Sequence, residues 1–394
     1  MKILVTGAKG FIGQNLCAAL REIQLGHDRR EDRKIEIQTI YEFGRTSTQE
    51  ELEQFCSDCD FVFHLAGVNR PKRETEFVEG NINLVSTVLN TLKRQNNTCP
   101  VVVSSSIQAC LTGRYAGNPY SESKRAGEEL AFRYMRETGA DVMVYRFPNV
   151  FGKWCRPNYN SAIATFCYNA AHDLPIQVND LSTIMDVVYI DDLIEEMIHA
   201  LQGRPNRDSE GCCTVPVHYE TTLGVIADTI LSFPKMREKL EVPSLDHALT
   251  KKLYSTYLSY LPAEKLLYDL HMNRDERGSF TEVLRTEDRG QVSVNIFQPG
   301  VTKGNHWHHT KNEKLIVVKG EALIRLRRVG TQPDGSLYPV TEFKVSGSHI
   351  QVVELIPGYT HSIVNCSDSE EMVSLIWANE PFDGEKPDTF FHKV

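Results

Sequence analysis

Residues 2–13 combine a short apolar run with a glycine-rich turn, and this combination restricts the fold more than any other feature of the chain. The apolar run ends at Gly7, two further glycines follow at positions 10 and 13, and residues 15–20 have helical potential. The same strand-and-helix rhythm returns at residues 35–40, 61–65, 101–104 and 142–146. Strands that alternate with helices predict an α/β fold, a doubly wound parallel sheet covered on both faces.

The pattern changes after about residue 270, where short strand-like runs are separated by Gly, Pro and Asp turns. The clearest of these runs are residues 291–297, 314–318, 322–326 and 350–355. They predict a second, all-β domain. Residues 248–261 have helical spacing and end at Pro262, so we predict two domains, residues 1–263 and residues 264–394.

The charge balance excludes one class of partner. A formal net charge of -9 argues against nucleic acid, which requires a basic surface. No apolar run reaches the ~20 residues of a membrane span, and none of signal-peptide length stands at the start. We therefore expect a cytoplasmic protein that acts on small molecules without membrane insertion, with its irregularly spaced cysteines reduced.

The glycine turn has the properties of a phosphate site. Gly7, Gly10 and Gly13 have the spacing G-x-x-G-x-x-G. Glycines let the backbone approach a pyrophosphate, whose charge then lies at the N-terminus of the following helix. The alternative is a tight turn that needs glycine for its own geometry, and the motif alone does not decide between the two.

Tyr120 and Lys124 form a second motif, Y-x-x-x-K. This spacing sets a phenol and an ammonium on one face of a helix. The ammonium favours the phenolate by charge proximity, so the tyrosine can exchange a proton near neutral pH. Ser106, or its neighbour Ser105, offers a hydroxyl to a substrate carbonyl at the end of the fourth predicted strand.

These motifs, together with the segment from Arg146 to Gly152, resemble the extended short-chain dehydrogenases that act on nucleotide sugars. The resemblance implies a Rossmann-like fold with Ser106, Tyr120 and Lys124 as catalytic residues. The cofactor contacts that it implies are Gly7, Lys9, Gly10, Phe11, Ile12, Gly13, Leu65, Ala66 and Gly67, joined by Tyr120 and Lys124. The implied substrate contacts are Asn149, Lys153, Asn158 and Asn160.

The choice of dinucleotide depends on the residues after the second strand. An acid there binds the ribose hydroxyl of NAD, whereas an arginine favours the 2′-phosphate of NADP. Glu42 and Arg45 both lie in range, and Arg45 follows directly on a turn, so we favour Arg45 and NADPH. The alternative is that Arg45 is simply solvated. The chain departs from the family at Met185, where many members carry an arginine that contacts the diphosphate.

Residues 300–320 contain histidines with the spacing of a metal site. His306 and His308 are two residues apart, so both point to the same face of a strand, and Glu313 can add a carboxylate from the next strand. The segment fits the first cupin motif, G-x5-H-x-H-x4-E-x6-G. His361 lies in a looser second motif, in which Gln351 replaces a glycine. Three imidazoles and a carboxylate suit zinc, iron, manganese or nickel alike.

The C-terminal half thus resembles a metal-binding cupin, a jelly-roll barrel. The whole chain resembles the bifunctional enzymes of capsular polysaccharide and O-antigen precursor synthesis in the UDP-N-acetyl-L-fucosamine pathway, most specifically at residues 151–161, 254–262 and 303–314. This resemblance implies a homodimer and a zinc cupin that epimerises C3 of a UDP-4-keto-6-deoxy-N-acetylhexosamine. It also implies NADPH reduction at C4 in the first domain, giving a UDP-6-deoxy-L-talosamine derivative.

Two other functions are compatible with the sequence. One is a sugar-nucleotide 4-ketoreductase whose cupin is only structural. The other is a sensor that binds dinucleotide without turnover, although Ser106, Tyr120 and Lys124 speak against it.

Overall fold

The computed structural model describes residues 1–28, 30–286, 289–385 and 387–394 of the chain. By its contacts the chain forms two units, one of residues 1–230 and 252–261, the other of residues 231–251 and 262–394. The two units therefore alternate along the chain between residues 231 and 261. The division into residues 1–263 and 264–394 remains a proposal.

A parallel sheet organises the first unit. Its strands are β1 (Lys2–Thr6), β2 (Thr39–Phe43), β3 (Phe61–His64), β4 (Val101–Ser106) and β5 (Val142–Phe147), in the order β2-β1-β3-β4-β5. Successive residues of β1 belong to two different buried clusters, with Ile3 and Val5 in one and Leu4 in the other. Both faces of the sheet are thus buried, as the α/β prediction requires.

Helices follow the strands along the chain. They are α1 (Phe11–Gln24), α2 (Gln49–Asp58), α3 (Thr75–Phe77), α4 (Leu84–Arg94), α5 (Pro119–Thr138), α6 (Ala162–Ala171), α7 (Ile190–Leu201), α8 (Leu223–Glu238) and α9 (Ala248–Leu258). A small second sheet has the order β6 (Asn149–Phe151), β7 (Ile184–Tyr189) and β8 (Tyr219–Thr222). The start of α5 is strongly defined, because the Asn118 side chain accepts a hydrogen bond from the Tyr120 N–H and Pro119 occupies the first turn.

The second strand begins later than residues 35–40 predict. Its parallel register pairs Thr39 with Lys2 and Phe43 with Thr6, so the ladder occupies residues 39–43. Ile37 is buried although it precedes the strand, which explains why the apolar pattern started too early. The shift places Glu42 inside β2 and leaves Arg45 in the turn that follows.

Two antiparallel sheets form the second unit. One contains β9 (Met272–Asp275), β10 (Gly278–Thr286), β11 (Gly290–Phe297), β13 (Glu313–Lys319), β16 (Val352–Leu355) and β18 (Met372–Ala378). The other contains β12 (Thr302–Trp307), β14 (Glu321–Arg328), β15 (Thr341–Ser346), β17 (Tyr359–Asn365) and β19 (Phe390–Phe391). Phe297, Leu315, Ile324 and Ile363 belong to its buried core. A parallel α/β sheet and an all-β region confirm the predicted fold class.

The described residues also allow two further expectations to be compared with the structure, the absence of a membrane span and the state of the cysteines. Among them, no helix has the length and apolar character to cross a membrane. All ten cysteines are free thiols. Burial raises the pKa of Cys56 to about 12, so this member of the C-x-x-C sequence is an unreactive core thiol.

Candidate active site and metal centre

The glycine turn folds back on itself between β1 and α1. The Gly7 N–H donates to the Phe43 carbonyl at 2.9 Å, and the Gly10 N–H donates to the Gly7 carbonyl at 2.8 Å. Gly10 caps α1 without a side-chain hydrogen bond, and no acidic residue stands in the first turn. The backbone N–H groups at this helix end are therefore suited to an anionic group.

Gly13 fills a position that admits no side chain. A Cβ atom there would lie 2.1 Å from the Gly7 carbonyl oxygen and 2.8 Å from the Ala8 Cα. Both atoms belong to the backbone of the turn, so the helix and the turn would have to separate. The turn thus has the tight backbone cradle that a dinucleotide pyrophosphate requires.

We expect Gly13→Ala to weaken NADPH binding by about 10-fold or more, because overpacking at such a contact costs about 1–3 kcal/mol. Gly44→Ala is the matched control, since a Cβ at Gly44 meets no atom within 4 Å. Fluorescence titration with NADPH and thermal unfolding of both variants measure the effect. Equal NADPH affinity in the two variants would show that the turn does not hold the pyrophosphate.

The other predicted cofactor residues surround this turn or follow nearby strands. Phe11, Ile12 and Leu65 pack partly buried against the core, Ala66 is half-buried, and Lys9, Gly67 and Arg45 are exposed. The side chain of Glu42, the competing acid after β2, forms an ion pair with Arg21. Arg45 is therefore the more available of the two residues considered for contact with the ribose.

The structure brings the three predicted catalytic side chains to the carboxyl end of β4 and the first turns of α5. Ser106 ends β4 and hydrogen-bonds to the Tyr120 hydroxyl. Lys124 lies one turn further along α5 and donates to the Ser104 carbonyl at 3.1 Å. The Lys124 Nζ also lies 3.2 Å from the position that a Cβ on Gly67 would occupy, so it adjoins the Leu65–Ala66–Gly67 segment.

The two candidate serines have different partners. The Ser105 hydroxyl donates to the Glu128 carboxylate at 2.6 Å. That carboxylate also pairs with Arg146 at 2.9 Å, so Ser105 belongs to a buried structural network. The Ser106 hydroxyl instead accepts from the Gln108 N–H at 3.2 Å beside Tyr120.

Burial sets the proton affinities of this group. It raises the pKa of Tyr120 to about 12, against an opposing effect of the hydrogen bond with Ser106. It lowers the pKa of Lys124 to about 8, against the opposing charge of Glu128. Burial thus outweighs the charge effect expected from the Y-x-x-x-K spacing. Tyr120 is a protonated phenol at neutral pH, which is the form that can donate a proton.

Sequence reasoning missed Asn81, which connects the cofactor segment to the catalytic helix. Its side chain accepts from the Val68 N–H at 2.8 Å and donates to the Ser123 hydroxyl at 3.0 Å. Asn81 lies in a π-helical segment, Val78–Asn83, and no motif of the sequence marks it.

The predicted substrate residues have diverse surroundings. The Asn149 amide donates to the Asp186 carbonyl at 3.0 Å, and Lys153 forms an ion pair with Asp191. Asn158 and Asn160 are exposed in the segment before α6. Their contact with a sugar nucleotide remains a prediction.

In the second unit, one imidazole or carboxylate atom from each of His306, His308, Glu313 and His361 lies within 4.8 Å of the others. β12 and β17 place His306 opposite His361, and Glu313 begins β13. A glutamate oxygen lies 3.9 Å from the His308 Nε2 and 3.8 Å from the His361 Nε2. His308 lies just after β12 rather than on it, yet its ring joins the group.

The four side chains suit a divalent metal. The His308 Nε2 is buried without a hydrogen-bond partner among the described residues. Burial, with the neighbouring histidines, lowers the pKa of His306 to about 4 and that of His361 to about 3. The imidazoles of His306 and His361 are therefore neutral at pH 7, as metal ligands must be, and a histidine–carboxylate set fits zinc.

The C-terminal segment holds this cluster in place, and no motif of the chain marks it. The Asp388 carbonyl accepts a hydrogen bond from the His308 Nδ1. Its carboxylate accepts from the backbone N–H groups of His309, Thr310 and Lys311 at 2.8–3.1 Å. β19 then pairs with His306 and Trp307 of β12. Asp388 thus leaves the His308 Nε2 free for the metal.

We expect Asp388→Ala to bind Zn²⁺ about 10-fold more weakly than the unmodified protein, because it removes the carboxylate that fixes the backbone next to His308 and so loosens the carbonyl that holds the His308 ring. Asp334→Ala is the control, because Asp334 caps an exposed turn through Ser336 at 2.9 Å. Competition with a fluorescent chelator measures both affinities. An affinity within two-fold of the unmodified protein would contradict the role of Asp388.

The chain is similar to known proteins over its whole length. The model of the NAD dependent epimerase/dehydratase family matches residues 3–210, and that of the polysaccharide biosynthesis C-terminal domain matches residues 273–390. The UDP-2-acetamido-2,6-beta-L-arabino-hexul-4-ose reductase of Pseudomonas aeruginosa is 40% identical over 390 residues, which cover 99% of this chain and 98% of that protein. The capsular polysaccharide assembling protein CapF of Staphylococcus aureus is 45% identical, with a TM-score of 0.88 and full coverage of both chains.

Proposed function

The chain belongs to the NAD dependent epimerase/dehydratase family, and on that premise we propose that it is a bifunctional nucleotide-sugar enzyme. The first unit reduces the C4 ketone of a UDP-sugar with NADPH. The second epimerises C3 of a UDP-4-keto-6-deoxy-N-acetylhexosamine, and the product is a UDP-6-deoxy-L-talosamine derivative for capsular polysaccharide or O-antigen precursors.

One observation carries the proposal: a chain that matches a UDP-sugar 4-keto reductase end to end has two separate sets of converging reactive side chains. Ser106, Tyr120 and Lys124 suit ketone reduction, whereas His306 and its partners suit a metal-assisted proton shift. A reductase with a merely structural cupin would not need a buried imidazole whose Nε2 lacks a partner.

In the reductase reaction, the cofactor supplies a hydride to C4 when it is bound. Tyr120 donates its phenolic proton to the C4 oxygen, and Ser106 holds that oxygen by a hydrogen bond. Lys124 carries a positive charge beside them, which lowers the cost of the phenolate that remains. The glycine turn would hold the pyrophosphate, and Arg45 would favour NADPH by contact with its 2′-phosphate.

In the epimerase reaction, His306, His308, Glu313 and His361 would hold a divalent metal, which we propose to be zinc. Its positive charge makes a proton next to a ketone easier to remove. The strands and the C-terminal segment fix the positions of the four ligands. We further propose that the enzyme is a cytoplasmic homodimer, as the resemblance implies.

Incubation with UDP-4-keto-6-deoxy-N-acetylhexosamine and NADPH tests the reductase function. We expect NADPH to be consumed only when the ketosugar is present, with a product two mass units heavier than the substrate. NADPH binding without oxidation in the presence of the ketosugar would instead favour a sensor.

The pH dependence of reduction follows from Lys124 and Tyr120. Lys124 has a pKa of about 8 and is charged below it, whereas Tyr120 keeps its proton up to its pKa of about 12. We therefore expect the single-turnover rate to be constant around neutral pH and to fall as the pH rises above about 8. A rate that stays constant to pH 10 would contradict the role of the lysine charge.

A further inference from the structure

The second unit contains a cavity of about 370 Å³ whose wall includes His306, Glu313 and His361. A small molecule in this cavity would therefore contact the proposed metal site. The inference rests on the proposed epimerase function: if the second unit epimerises C3, the C3 proton is removed in this cavity. The histidine nitrogens that would hold the metal cannot take that proton, because coordination would use their single lone pairs.

Two buried polar side chains on the cavity wall indicate a polar occupant. Asn295 and Ser279 are each 5% exposed. Neither the Asn295 Nδ2 nor the Ser279 Oγ has a hydrogen-bond partner among the described residues. An unpaired buried polar group costs about 1–3 kcal/mol, so these groups are suited to the hydroxyls or carbonyls of a bound sugar.

Lys303 points into the same cavity from β12. Lys303 pairs with Ile363 of β17. Ile363 lies two residues after His361, so Ile363 and His361 are on the same face of β17. The Lys303 Nζ donates to the Ile296 carbonyl at 2.9 Å and to the Ser279 carbonyl at 3.3 Å. The Nζ also lies 4.6 Å from the centre of the Phe297 ring. An ammonium has three N–H donors, so after the loss of one proton Lys303 would keep two for these carbonyls and have one lone pair for the cavity.

Burial and the charges around Lys303 together lower its proton affinity. Burial lowers its pKa, Asp275 opposes this effect, and Arg277 adds to it. The opposing carboxylate is itself engaged, because Asp275 pairs with Arg277 at 2.5 Å. Arg274, also on the wall, has a guanidinium group, which donates hydrogen bonds and offers no acceptor. Among the described wall residues outside the metal cluster, Lys303 is thus the titratable group suited to accept a proton.

We propose that Lys303 is the general base of the C3 epimerisation. The Nζ lone pair takes the proton from C3, the electrons of the C3–H bond form a C3–C4 double bond, and the electrons of the ketone π bond move onto its oxygen. When the ketone reforms, a proton from water adds to the opposite face of C3. The Lys303 ammonium then returns its proton to water, so the step needs no other reactant.

The test measures solvent exchange at C3 in the zinc-loaded full-length protein. Wild type, Lys303→Gln, Lys303→Arg and the control Lys344→Gln are incubated with UDP-4-keto-6-deoxy-N-acetylhexosamine in D₂O without NADPH. Lys344 is an exposed lysine of β15. We expect both Lys303 variants to incorporate deuterium at C3 about 10²-fold more slowly or worse, with unchanged zinc content. The arginine variant keeps the charge but accepts no proton, so it distinguishes a role of Lys303 as a base from a role of its positive charge.

A second readout does not depend on turnover. After reductive methylation with ¹³C-formaldehyde, the resonance missing from Lys303→Gln identifies Lys303 in the NMR spectrum. We expect it to titrate below the range of the other lysines. Exchange by Lys303→Gln at the wild-type rate, or titration of Lys303 with the surface lysines, would overturn the proposal. Absence of exchange in wild type would instead refute the epimerase function itself, and the base assignment with it.

Discussion

Tyr120→Phe is expected to reduce the NADPH-dependent rate of ketone reduction by about 10²- to 10⁴-fold, the usual contribution of a positioned proton donor. Phenylalanine keeps the ring, which packs 5.9 Å from Phe77, and removes only the hydroxyl that hydrogen-bonds to Ser106. Substrate binding and the fold should therefore change little. Stopped-flow measurement of NADPH oxidation with the C3-epimerised ketosugar reports the chemical step.

Tyr134→Phe is the matched control for this substitution. Tyr134 lies on the same helix, is buried, and donates to the Asn97 carbonyl at 3.1 Å. Loss of this hydrogen bond costs about 1 kcal/mol of stability, but we expect no change in the rate of ketone reduction. The Tyr120→Phe variant should also exchange C3 deuterium at the wild-type rate. A reduction rate within a few-fold of wild type would remove Tyr120 from the reaction.

Replacing His306 or His361 by alanine is expected to have the second large effect. Each substitution removes one of four ligands whose atoms lie within 4.8 Å of one another. Zinc affinity should fall by more than about 100-fold, beyond the loss typical for partners of metal ligands. Deuterium incorporation at C3 should be lost with the metal, whereas reduction of an already epimerised ketosugar should continue.

His309→Ala is the control for these two variants. His309 is exposed, and its ring contacts Trp307 and Phe390 outside the four-residue cluster. We expect this variant to keep its zinc, measured by mass spectrometry of the metal, and its C3 exchange. Persistent exchange in metal-free His306→Ala would favour the alternative of a reductase with a structural cupin.

Local motifs made much of this protein predictable. The glycine turn and the Y-x-x-x-K spacing each lie within a few residues of a single strand or helix, so their geometry follows from the local backbone. The H-x-H-x4-E spacing marked the metal ligands, although it runs from β12 to β13 and His308 lies between the two strands. The alternation of strands and helices likewise predicted the parallel sheet. The predicted start of β2 was wrong, because the hydrogen-bonded residues of β2 are set by its register with β1 and not by the apolar pattern.

Contacts between distant residues could not be predicted in the same way. Asp388 meets His308 only because β19 pairs with β12. Lys303 occupies an unspecified position of the cupin motif, and its surroundings come from other strands, β10 and β11 before it and β17 after it. The proton affinity of Tyr120 was misjudged for a similar reason, since its burial is a property of the packed unit.

In the proposed function, one chain shifts a proton at C3 and transfers a hydride to C4. Incubation of the zinc-loaded protein with UDP-4-keto-6-deoxy-N-acetylhexosamine and NADPH in D₂O, followed by mass and NMR analysis, tests both steps at once. We predict a reduced, C3-inverted product with deuterium at C3 and protium from NADPH at C4. A reduced product that keeps its original C3 hydrogen and configuration would contradict the account.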